Sequence, residues 1–519
     1  MSAGHPGTDH PEHYVHRILH TAAGRPGAVA LRRDGRAVTA GEFAASVTDA
    51  AAALRRAGVA AGRMVAILTV PSHPMMLTVR YAAHLLGAPV VHIRSMNPRS
   101  DAESLPADIQ AEVLRATGAR TLVVDGDNAA RGRLLAEAVP GVTVLDGRTG
   151  LGRDGDPVPE PAPYDRDALA LIDFTSGSTN RPKMVRQLFG TRQTHVDRLV
   201  AGLDPDRPAT LLSVTPLSHA GAPLVDAVLA GGGTVVLHET FDAGAVLRDI
   251  AELRVTDVYL GVPHLYRLLE HPAAARADLS SLRQLVYSAT PAAPARIAAA
   301  VEIFGDRLIQ VYGTTEAGGI TCLTPLDHRE PELLGTVGRP FPWVDVVLRD
   351  PDGGGEVPRG AIGEVYVRSP TVTAGYLGAG ESPRDGWLRT GDLARWDRHG
   401  YLRLTGRVGH IVKSAGLKIY PAEIERVLIA HPAVHNATVY GVRDDDYVER
   451  VHAAVEPNAG AHCDRTVLAA HVAQALSAIH VPSAITVWER LPLLDSGKPD
   501  LRAIRAADAN AEVSMKGAR

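Results

Sequence analysis

The sequence predicts an α/β fold with largely parallel sheets, and two observations support this. Short apolar runs rich in β-branched residues recur along the chain, among them Met64–Leu68, Thr121–Val124, Thr234–Leu237 and Val258–Leu260. Stretches rich in Ala, Leu and Arg with helical spacing separate them, for example Phe43–Arg56. Apolar runs that alternate with amphipathic helices are typical of parallel strands covered by helices on both faces.

The length of 519 residues exceeds what one hydrophobic core normally serves, so we expect at least two domains. Between Trp343 and Tyr401 the pattern changes to short alternating segments with glycine turns, which predicts a small antiparallel β unit. A smaller α/β pattern follows, in which a helix begins near Pro421. We therefore expect two domains, residues 1–408 and residues 409–519.

The composition argues against several classes of protein. Lys and Arg number 54 against 58 Asp and Glu, a net charge of −4, so no nucleic-acid partner is expected. Two cysteines, Cys322 and Cys463, cannot build a disulfide framework, which favours a cytoplasmic location. No signal peptide and no long apolar run is recognisable, so we expect no membrane span. Histidines near the N-terminus, such as His13 and His16, lack metal-ligand spacing and are expected at the surface.

A loop rich in hydroxyl residues follows the apolar run Leu169–Ile172. It reads TSGSTNRPKM and spans Thr175–Met184. The backbone amides and hydroxyls of such a loop can all point at one anion, and Lys183 adds positive charge, so the loop looks like a phosphate cradle. It is not a Walker A loop, because Pro182 precedes the lysine and Met184 follows it. Taken alone, it is equally consistent with an ordinary loop.

Further segments follow in a fixed order. They are QVYGTTEAGG (Gln310–Gly319), a segment with a Gly-Asp turn and a Gly-Arg pair (Arg389–Glu425), and LPLLDSGKPD (Leu491–Asp500). With the phosphate loop and with RAVTAGEFAASV, HLLGAPVVHI and TPLSHAGAP elsewhere, they resemble the adenylate-forming superfamily. This superfamily includes acyl-CoA synthetases, aryl-acid ligases, luciferases and peptide-synthetase adenylation domains. The resemblance covers nearly the whole chain.

The resemblance implies both a fold and a reaction. The fold is a large N-terminal domain of stacked α/β layers plus a small β-barrel, hinged to a small, mobile α+β C-terminal domain. In the reaction a carboxylate attacks the α-phosphorus of ATP, which gives an acyl-adenylate and pyrophosphate, and an acceptor then takes the acyl group. The protein mainly has to neutralise charge and hold the groups in line, so cations, amides and Mg²⁺ suit the task.

The resemblance also assigns nucleotide-binding roles. Tyr312, next to Gly313, is expected to stack on adenine, and Asp392 is expected to accept the ribose hydroxyls with Arg407 beside it. The residues expected to line the β- and γ-phosphates are Thr175, Ser176, Gly177, Ser178, Thr179 and Lys183. The segment expected to border adenine comprises Ala289, Thr290 and Pro291.

Catalytic roles follow from the same resemblance. Thr315 is expected to contact the α-phosphate, and Glu316 is expected to hold Mg²⁺, a hard cation that suits a carboxylate. Lys498 is expected to bridge carboxylate and phosphate during adenylation. His219 stands where family members often carry a gate to the acid pocket, and a structural histidine is the alternative. Gly416 belongs to the face expected to meet the thiol after the C-terminal domain rotates.

The sequence departs from the family pattern at the phosphate loop and at the hinge. Asn180 and Met184 replace glycines, and Met184 adds a side chain where the backbone usually passes close. Asn tolerates the left-handed conformation, so its effect is expected to be mild. At the hinge, Gly409 and His410 replace an Asp or Lys followed by an acidic residue. Glycine at the hinge allows the C-terminal domain to rotate, but it defines the orientations at which the rotation stops less well.

The activated molecule is expected to be an aryl or a fatty or polyketide-like carboxylic acid. Amino-acid-activating relatives carry an Asp near Ser218 and His219 to hold the substrate ammonium, and the nearest acid here is Asp226. CoA is the first choice of acceptor, since KSAGLKIYPAEIE is similar to the loop of CoA-using members. The phosphopantetheine of a separate carrier protein is the other thiol considered.

Two further classes of function stay open. One is a natural-product ligase with a non-thiol second step, such as a diazotase that uses ATP to activate nitrite for an aryl amine, and the changes at the loop and hinge motivate it. The other is a non-catalytic nucleotide-binding relative. The presence of Glu316, Asp392 and Lys498 argues against this second class. The sequence leaves the oligomeric state open.

Overall fold

The structure is a computed structural model. The residues it describes are 13–94, 105–147, 151, 159–175, 183–218, 221–290, 292–378, 385–414, 417–443, 449–492 and 499–516. As far as they are described, the first of two compact units comprises Met1–Tyr287, Thr314–Gly318 and Ser369–Asp385. The second unit comprises Ser288–Gly313, Gly319–Arg368 and Gly386–Arg519. The two domains proposed above, divided at residue 408, stay a prediction.

The first unit alternates strands and helices, as the sequence predicted. Its helices are α1 (Tyr14–Gly24), α2 (Ala40–Arg56), α3 (Pro74–Leu85), α4 (Ala107–Thr117), α5 (Ala129–Ala138), α6 (Phe189–Ala201), α7 (Ala222–Ala230), α8 (Ala243–Glu252) and α9 (Val262–Glu270). Its strands are β1 (Val29–Arg33), β2 (Arg36–Thr39), β3 (Val65–Leu68), β4 (Val90–His92), β5 (Thr121–Val124), β6 (Thr143–Asp146), β7 (Leu169–Thr175), β8 (Lys183–Leu188), β9 (Thr210–Ser213), β10 (Thr234–Leu237), β11 (Asp257–Gly261) and β12 (Gln284–Ser288).

Mostly parallel sheets organise these strands. One sheet has the order β6-β5-β3-β4-β7-β8, in which only the β7–β8 pair is antiparallel. The other strands follow the order β2-β1-β10-β9-β11-β12, with parallel pairs from β1 to β11. Every residue of β3 and of β5 is buried, which explains their continuous apolar sequence. The α/β prediction is confirmed.

The second unit begins with helix α10 (Pro294–Phe304) and is richer in antiparallel strands. Its first strands are β13 (Leu308–Thr314), β14 (Gly318–Leu323) and β15 (Arg339–Pro340). A four-stranded antiparallel sheet follows, formed by β16 (Asp345–Arg349), β17 (Gly363–Arg368), β18 (Leu388–Trp396) and β19 (Leu402–Arg407). This sheet lies where the sequence predicts the small antiparallel β unit.

The last part of the second unit is a small α+β arrangement. It contains the hairpin β20 (Val412–Ser414) and β21 (Leu417–Ile419), then α11 (Pro421–Ala430), β22 (Val434–Arg443), β23 (Glu449–Pro457), α12 (Arg465–Ala475), β24 (Ala484–Val487) and α13 (Leu501–Lys516). Helix α11 begins at Pro421, as predicted. In the described ranges, no helix has both the length and the apolar character that crossing a membrane would require.

Histidine side chains cap two helices of the first unit. The Nδ1 atom of His13 accepts from the backbone N–H of Val15 (3.2 Å) at α1, and Nδ1 of His73 accepts from Met75 (3.1 Å) at α3. A ring nitrogen accepts only in the neutral imidazole. Burial, reinforced by His16, lowers the pKa of His13 to about 3. His13 is only 5% exposed, so its expected place at the surface was wrong.

We predict that the cap makes the protein sensitive to acid. In the unfolded chain His13 takes up a proton near pH 6.5, but in the folded chain only near pH 3. Its stabilisation is therefore complete above pH 6.5 and is lost as the pH falls towards 3. His13→Asn keeps a capping acceptor that does not titrate. As the pH falls from 7 to 5, wild type should lose stability relative to His13→Asn, so the melting temperature of wild type should fall more than that of the variant.

His13→Ala is the matched control for the cap itself, because both variants lose the imidazole ring. The alanine variant should be less stable than the asparagine variant by about 1 kcal/mol at pH 7, the usual value of a helix cap. Parallel melting temperatures of wild type and His13→Asn across this pH range would contradict a titrating cap.

Candidate active site

The phosphate loop connects two antiparallel strands. In the register of β7 and β8, Thr175 lies opposite Lys183 and Phe174 lies opposite Met184. Both ends of the predicted cradle are thus fixed by one strand pair. Within the predicted phosphate set, Ser176, Gly177, Ser178 and Thr179 lie outside the described residues.

A later segment of the first unit runs along β8. Arg186 donates its backbone N–H to the carbonyl of Gly375 (2.8 Å), and Leu377 donates to the carbonyl of Met184 (2.8 Å). Tyr376 consequently lies opposite Val185 in an antiparallel bridge. The Nζ atom of Lys183 is 5.3 Å from the centroid of the Tyr376 ring, within cation–π range.

Tyr376 also reaches the predicted metal ligand. Its hydroxyl donates to Oε1 of Glu316 (2.6 Å), and the backbone carbonyl of Glu316 accepts from Thr373 (2.8 Å). The Oγ1 atom of Thr371 donates to the carbonyl of Ala317 (2.9 Å). The turn that carries Thr315 and Glu316 is therefore held at its side chain and at its backbone by residues 371–376.

The end of this turn requires glycine. Gly318 has φ +73°, in the left-handed region. A Cβ atom there would lie 2.6 Å from the buried Nε2 atom of His195, so the imidazole would have to shift. The turn is thus fixed by both its backbone conformation and its packing.

The charges around Glu316 fit a divalent cation. The pKa of Asp173 is raised to about 6, mainly by burial, while Arg192 and Arg80 act to lower it and the charge of Glu316 acts to raise it. The two carboxylates are therefore close enough to repel each other. No cluster of three or more metal-ligating side chains occurs in the described part of the chain. A cation at Glu316 would complete its shell with phosphate and water oxygens, as Mg²⁺ usually does.

The predicted nucleoside residues meet in the second unit. Asp392 and Arg407 lie opposite each other on β18 and β19, and Nε of Arg407 donates to Oδ1 of Asp392 (2.8 Å). The hydroxyl of Tyr312 donates to Oδ2 of the same carboxylate (2.9 Å). Burial, and then the charge of Asp392, raise the pKa of Tyr312, so its hydroxyl stays a donor.

This arrangement fits a ribose. Each carboxylate oxygen has two lone pairs, so Asp392 can accept further hydrogen bonds from a diol while keeping those from Tyr312 and Arg407. Ala289, in the segment expected to border adenine, has φ +89° although it is not glycine. Strained backbone of this kind is concentrated at functional sites. Thr290 follows directly, and Gly313 follows Tyr312 in β13.

Some predicted residues cannot be placed. His219, Pro291, Gly416 and Lys498 lie outside the described residues, so their roles stay predictions. Thr315 is described and lies exposed in the turn after β13.

Met184 lies in strand β8, opposite Phe174. The side chain of Met184 is partly buried against the cluster that contains Phe174 and Ile172. It therefore contributes to the core under the hairpin. The effect of Met184 on phosphate binding stays a prediction, because Ser176, Gly177, Ser178 and Thr179 lie outside the described residues.

Sequence reasoning missed Tyr376 and the partners of Asp226. Tyr376 follows a glycine after strand β17, and only this Gly-Tyr pair near GEVYVRSP could have drawn attention to it. Asp226 is completely buried, and its carboxylate bonds to Arg80 and Arg192. Asp226 is therefore a buried ion-pair partner and does not serve as a free acid near Ser218.

Two family models match the chain. One, described as AMP-binding enzyme, matches residues 18–377, and the other, described as AMP-binding enzyme C-terminal domain, matches residues 423–498. Among curated proteins, feruloyl-CoA synthase of an Amycolatopsis species is 36% identical over 480 residues, which are 91% of this chain and 94% of that protein.

Solved structures are similar over almost the full length. Amide bond synthetase McbA from Marinactinospora thermotolerans has a TM-score of 0.85 and 38% identity, covering 95% of this chain and 99% of that one. The o-succinylbenzoate CoA synthetase MenE of Bacillus subtilis, in complex with its acyl-adenylate intermediate, has a TM-score of 0.81 and 27% identity, with coverage of 93% and 96%. The synthetase has also been solved with ATP and a magnesium ion.

We predict separate effects of the ring and the hydroxyl of Tyr376. Tyr376→Phe removes the donor to Glu316 but keeps the ring near Lys183, so Mg²⁺ should bind about fivefold more weakly, the usual value of one hydrogen bond. Tyr376→Leu removes both interactions, and ATP binding should weaken by a further factor of roughly three. Calorimetric titrations with ATP at several Mg²⁺ concentrations measure both quantities. Equal behaviour of the two variants would show that the ring does not assist Lys183.

Proposed function

The chain belongs to the family of AMP-binding enzymes, and from that premise we propose that it activates an aryl carboxylic acid with ATP and passes the acyl group to CoA. It is an AMP-forming ligase, as the sequence predicted. ATP is its substrate, Mg²⁺ its metal cofactor, and an acyl-adenylate its intermediate. The choice of acid and of acceptor is the part that we propose.

The link from Lys183 through Tyr376 to Glu316 is the observation that supports the proposed roles in phosphate and metal binding. It places a cation and a carboxylate on either side of one tyrosine at the end of the β7–β8 hairpin. The Lys183 ammonium would neutralise phosphate charge, and Glu316 would hold Mg²⁺. When bound, Mg²⁺ supplies further neutralisation at phosphate oxygens.

The nucleoside residues have a separate task. Asp392 would accept the ribose hydroxyls, and Arg407 and Tyr312 fix its carboxylate from two directions. A carboxylate that is already oriented loses little entropy when the diol binds. Lys498, two residues before Asp500, would meet the developing charge between the carboxylate and the α-phosphate.

An aryl acid is favoured over an amino acid. The segment around Ser218 and His219, which is predicted to border the acid pocket, is called the acid loop here. Its nearest acid, Asp226, is 0% exposed and pairs with two arginines, so it is unavailable to a substrate ammonium. The similar enzymes named above act on ferulate and o-succinylbenzoate, as their names state, and both are aryl acids. We extend that substrate class to this chain.

An amine is the second candidate acceptor, because the amide bond synthetase McbA is 38% identical to this chain. The hinge sequence Gly409-His410 is a second reason. Gly409 lies in a 3₁₀ turn, and a Cβ atom there would meet no other atom within 4 Å, so neither a side chain nor close packing restricts rotation at this residue. A carrier-protein thiol stays a further proposal.

We predict that a substrate panel will separate these acceptors. With ATP and Mg²⁺, pyrophosphate release should be fastest with an aryl acid from a panel of ferulate, o-succinylbenzoate, octanoate, phenylalanine, and nitrite with an aryl amine. Mass spectrometry with CoA and with an aryl amine should then find the CoA thioester in excess. Amide alone would favour the second acceptor, and a response to octanoate or phenylalanine alone would reject the aryl acid.

We predict that Lys498 serves only the first step. Lys498→Ala should lower adenylation by roughly 10² to 10³-fold, the usual loss for a group that stabilises transition-state charge. When preformed acyl-adenylate and CoA are supplied, it should make acyl-CoA at nearly the normal rate. Gly409→Pro fixes φ at the hinge, so it should slow thioester formation more than adenylation. Equal loss of both steps in Lys498→Ala would contradict this division.

A further inference from the structure

A cluster of charged side chains lies completely inside the first unit. Arg80 on α3 and Asp226 on α7 are 0% exposed, and Arg192 on α6 is 2% exposed. Charged residues are almost never buried to this degree unless they are paired. The cluster therefore connects three separate helices of the first unit.

Asp226 is the centre of the cluster. Its Oδ1 atom accepts from Nη2 of Arg80 (2.5 Å) and from the hydroxyl of Tyr81 (2.6 Å). Its Oδ2 atom accepts from Nε of Arg192 (2.9 Å) and also from Nη2 of that residue. Both oxygens are therefore fully used, and neither is available to a ligand.

Arg80 has a second partner outside the cluster. Its Nη1 atom donates to the backbone carbonyl of Leu217 (3.1 Å). Leu217 belongs to the connection between β9 and α7, in the segment TPLSHAGAP, and precedes His219 by two residues. The guanidinium of Arg80 thus donates to Asp226 through Nη2 and to the acid loop, at Leu217, through Nη1.

Stability alone does not account for these buried charges. The desolvation of buried ion pairs usually cancels their attraction, and apolar residues of similar volume in their place are often as stable or more stable. The planar guanidinium, however, fixes two acceptors in one geometry, which neither an apolar side chain nor lysine can do. The geometry therefore indicates a positioning role.

We propose that Arg80 is a positioning residue for the acid substrate. By holding the carbonyl of Leu217, it fixes the backbone of the loop that leads to His219, and Asp226 fixes Arg80. Arg192, which lies on the helix that follows the phosphate hairpin, pairs with the same carboxylate. The acid loop, through Arg80, and the helix that follows the phosphate hairpin, through Arg192, are therefore both linked to the carboxylate of Asp226. The role in acid binding rests on the proposed function, whereas the role in ordering the loop does not.

Arg80→Lys and Arg192→Lys form a matched pair. Each keeps a positive charge for Asp226, but only the first loses the donor to Leu217. Hydrogen–deuterium exchange on the protein without substrate should become about tenfold faster in residues 214–218 of Arg80→Lys, the cost of one buried hydrogen bond, and should stay unchanged there in Arg192→Lys. Equal exchange in the two variants would overturn the proposal.

Kinetics give a second readout that a purely structural role would not produce. With ferulate, or with the aryl acid of the panel that is turned over fastest, Arg80→Lys should raise the KM for the acid about tenfold and leave the KM for ATP within about twofold. A matched rise in both KM values would overturn the proposal. If the wild type activates no acid, the proposed function fails, and the exchange experiment alone decides whether Arg80 orders the loop.

A triple variant covers the case in which Arg80→Lys does not fold. Arg80→Met, Asp226→Leu and Arg192→Met together remove the three charges of the cluster, so the melting temperature should stay closer to that of wild type than the melting temperature of Arg80→Met alone. The carbonyl of Leu217 would still lose its donor, so exchange in residues 214–218 should increase as in Arg80→Lys. Normal exchange in the folded triple variant would show that the cluster does not order the loop.

Discussion

The pairing of β7 with β8 is the constraint on which the phosphate site depends. It sets Thr175 opposite Lys183, and the free side of β8 then pairs with residues 374–377. Tyr376 reaches both Lys183 and Glu316 only in this register. Because strand side chains alternate between two faces, a shift by one residue would turn Lys183 away from its partners. The contacts of Lys183 with its partners thus depend on the strand pairing.

The fold and the family could be predicted because they depend on patterns that are local in sequence. Apolar runs gave β3, β5, β10 and β11, and the Pro421 start of α11 followed from helix-end chemistry. Asp392 and Arg407 were assigned separately through the resemblance, and the structure pairs them across β18 and β19. Their individual roles in binding stay predictions.

Side-chain partners that are distant in sequence could not be predicted. Tyr376 contacts Glu316 across sixty positions of the chain, and no periodicity records such a contact. The ion pairs of Asp226 were equally hidden, because a lone acid in a helix does not indicate that arginines from α3 and α6 pair with it. The packing of Met184 was hidden for a related reason. The family pattern placed it where a glycine is usual, but it did not show that the side chain packs against Phe174 and Ile172.

The contact between Gly318 and His195 also constrains how this sequence can change over evolutionary time. A methyl group at position 318 would lie 2.6 Å from Nε2 of His195, so a substitution there requires the imidazole to move. The positive φ would add a cost of roughly 1 kcal/mol for any residue other than glycine. A change at position 318 therefore carries two independent costs, one from packing and one from the backbone of the Thr315–Glu316 turn. A smaller residue at 195 would remove only the first of them.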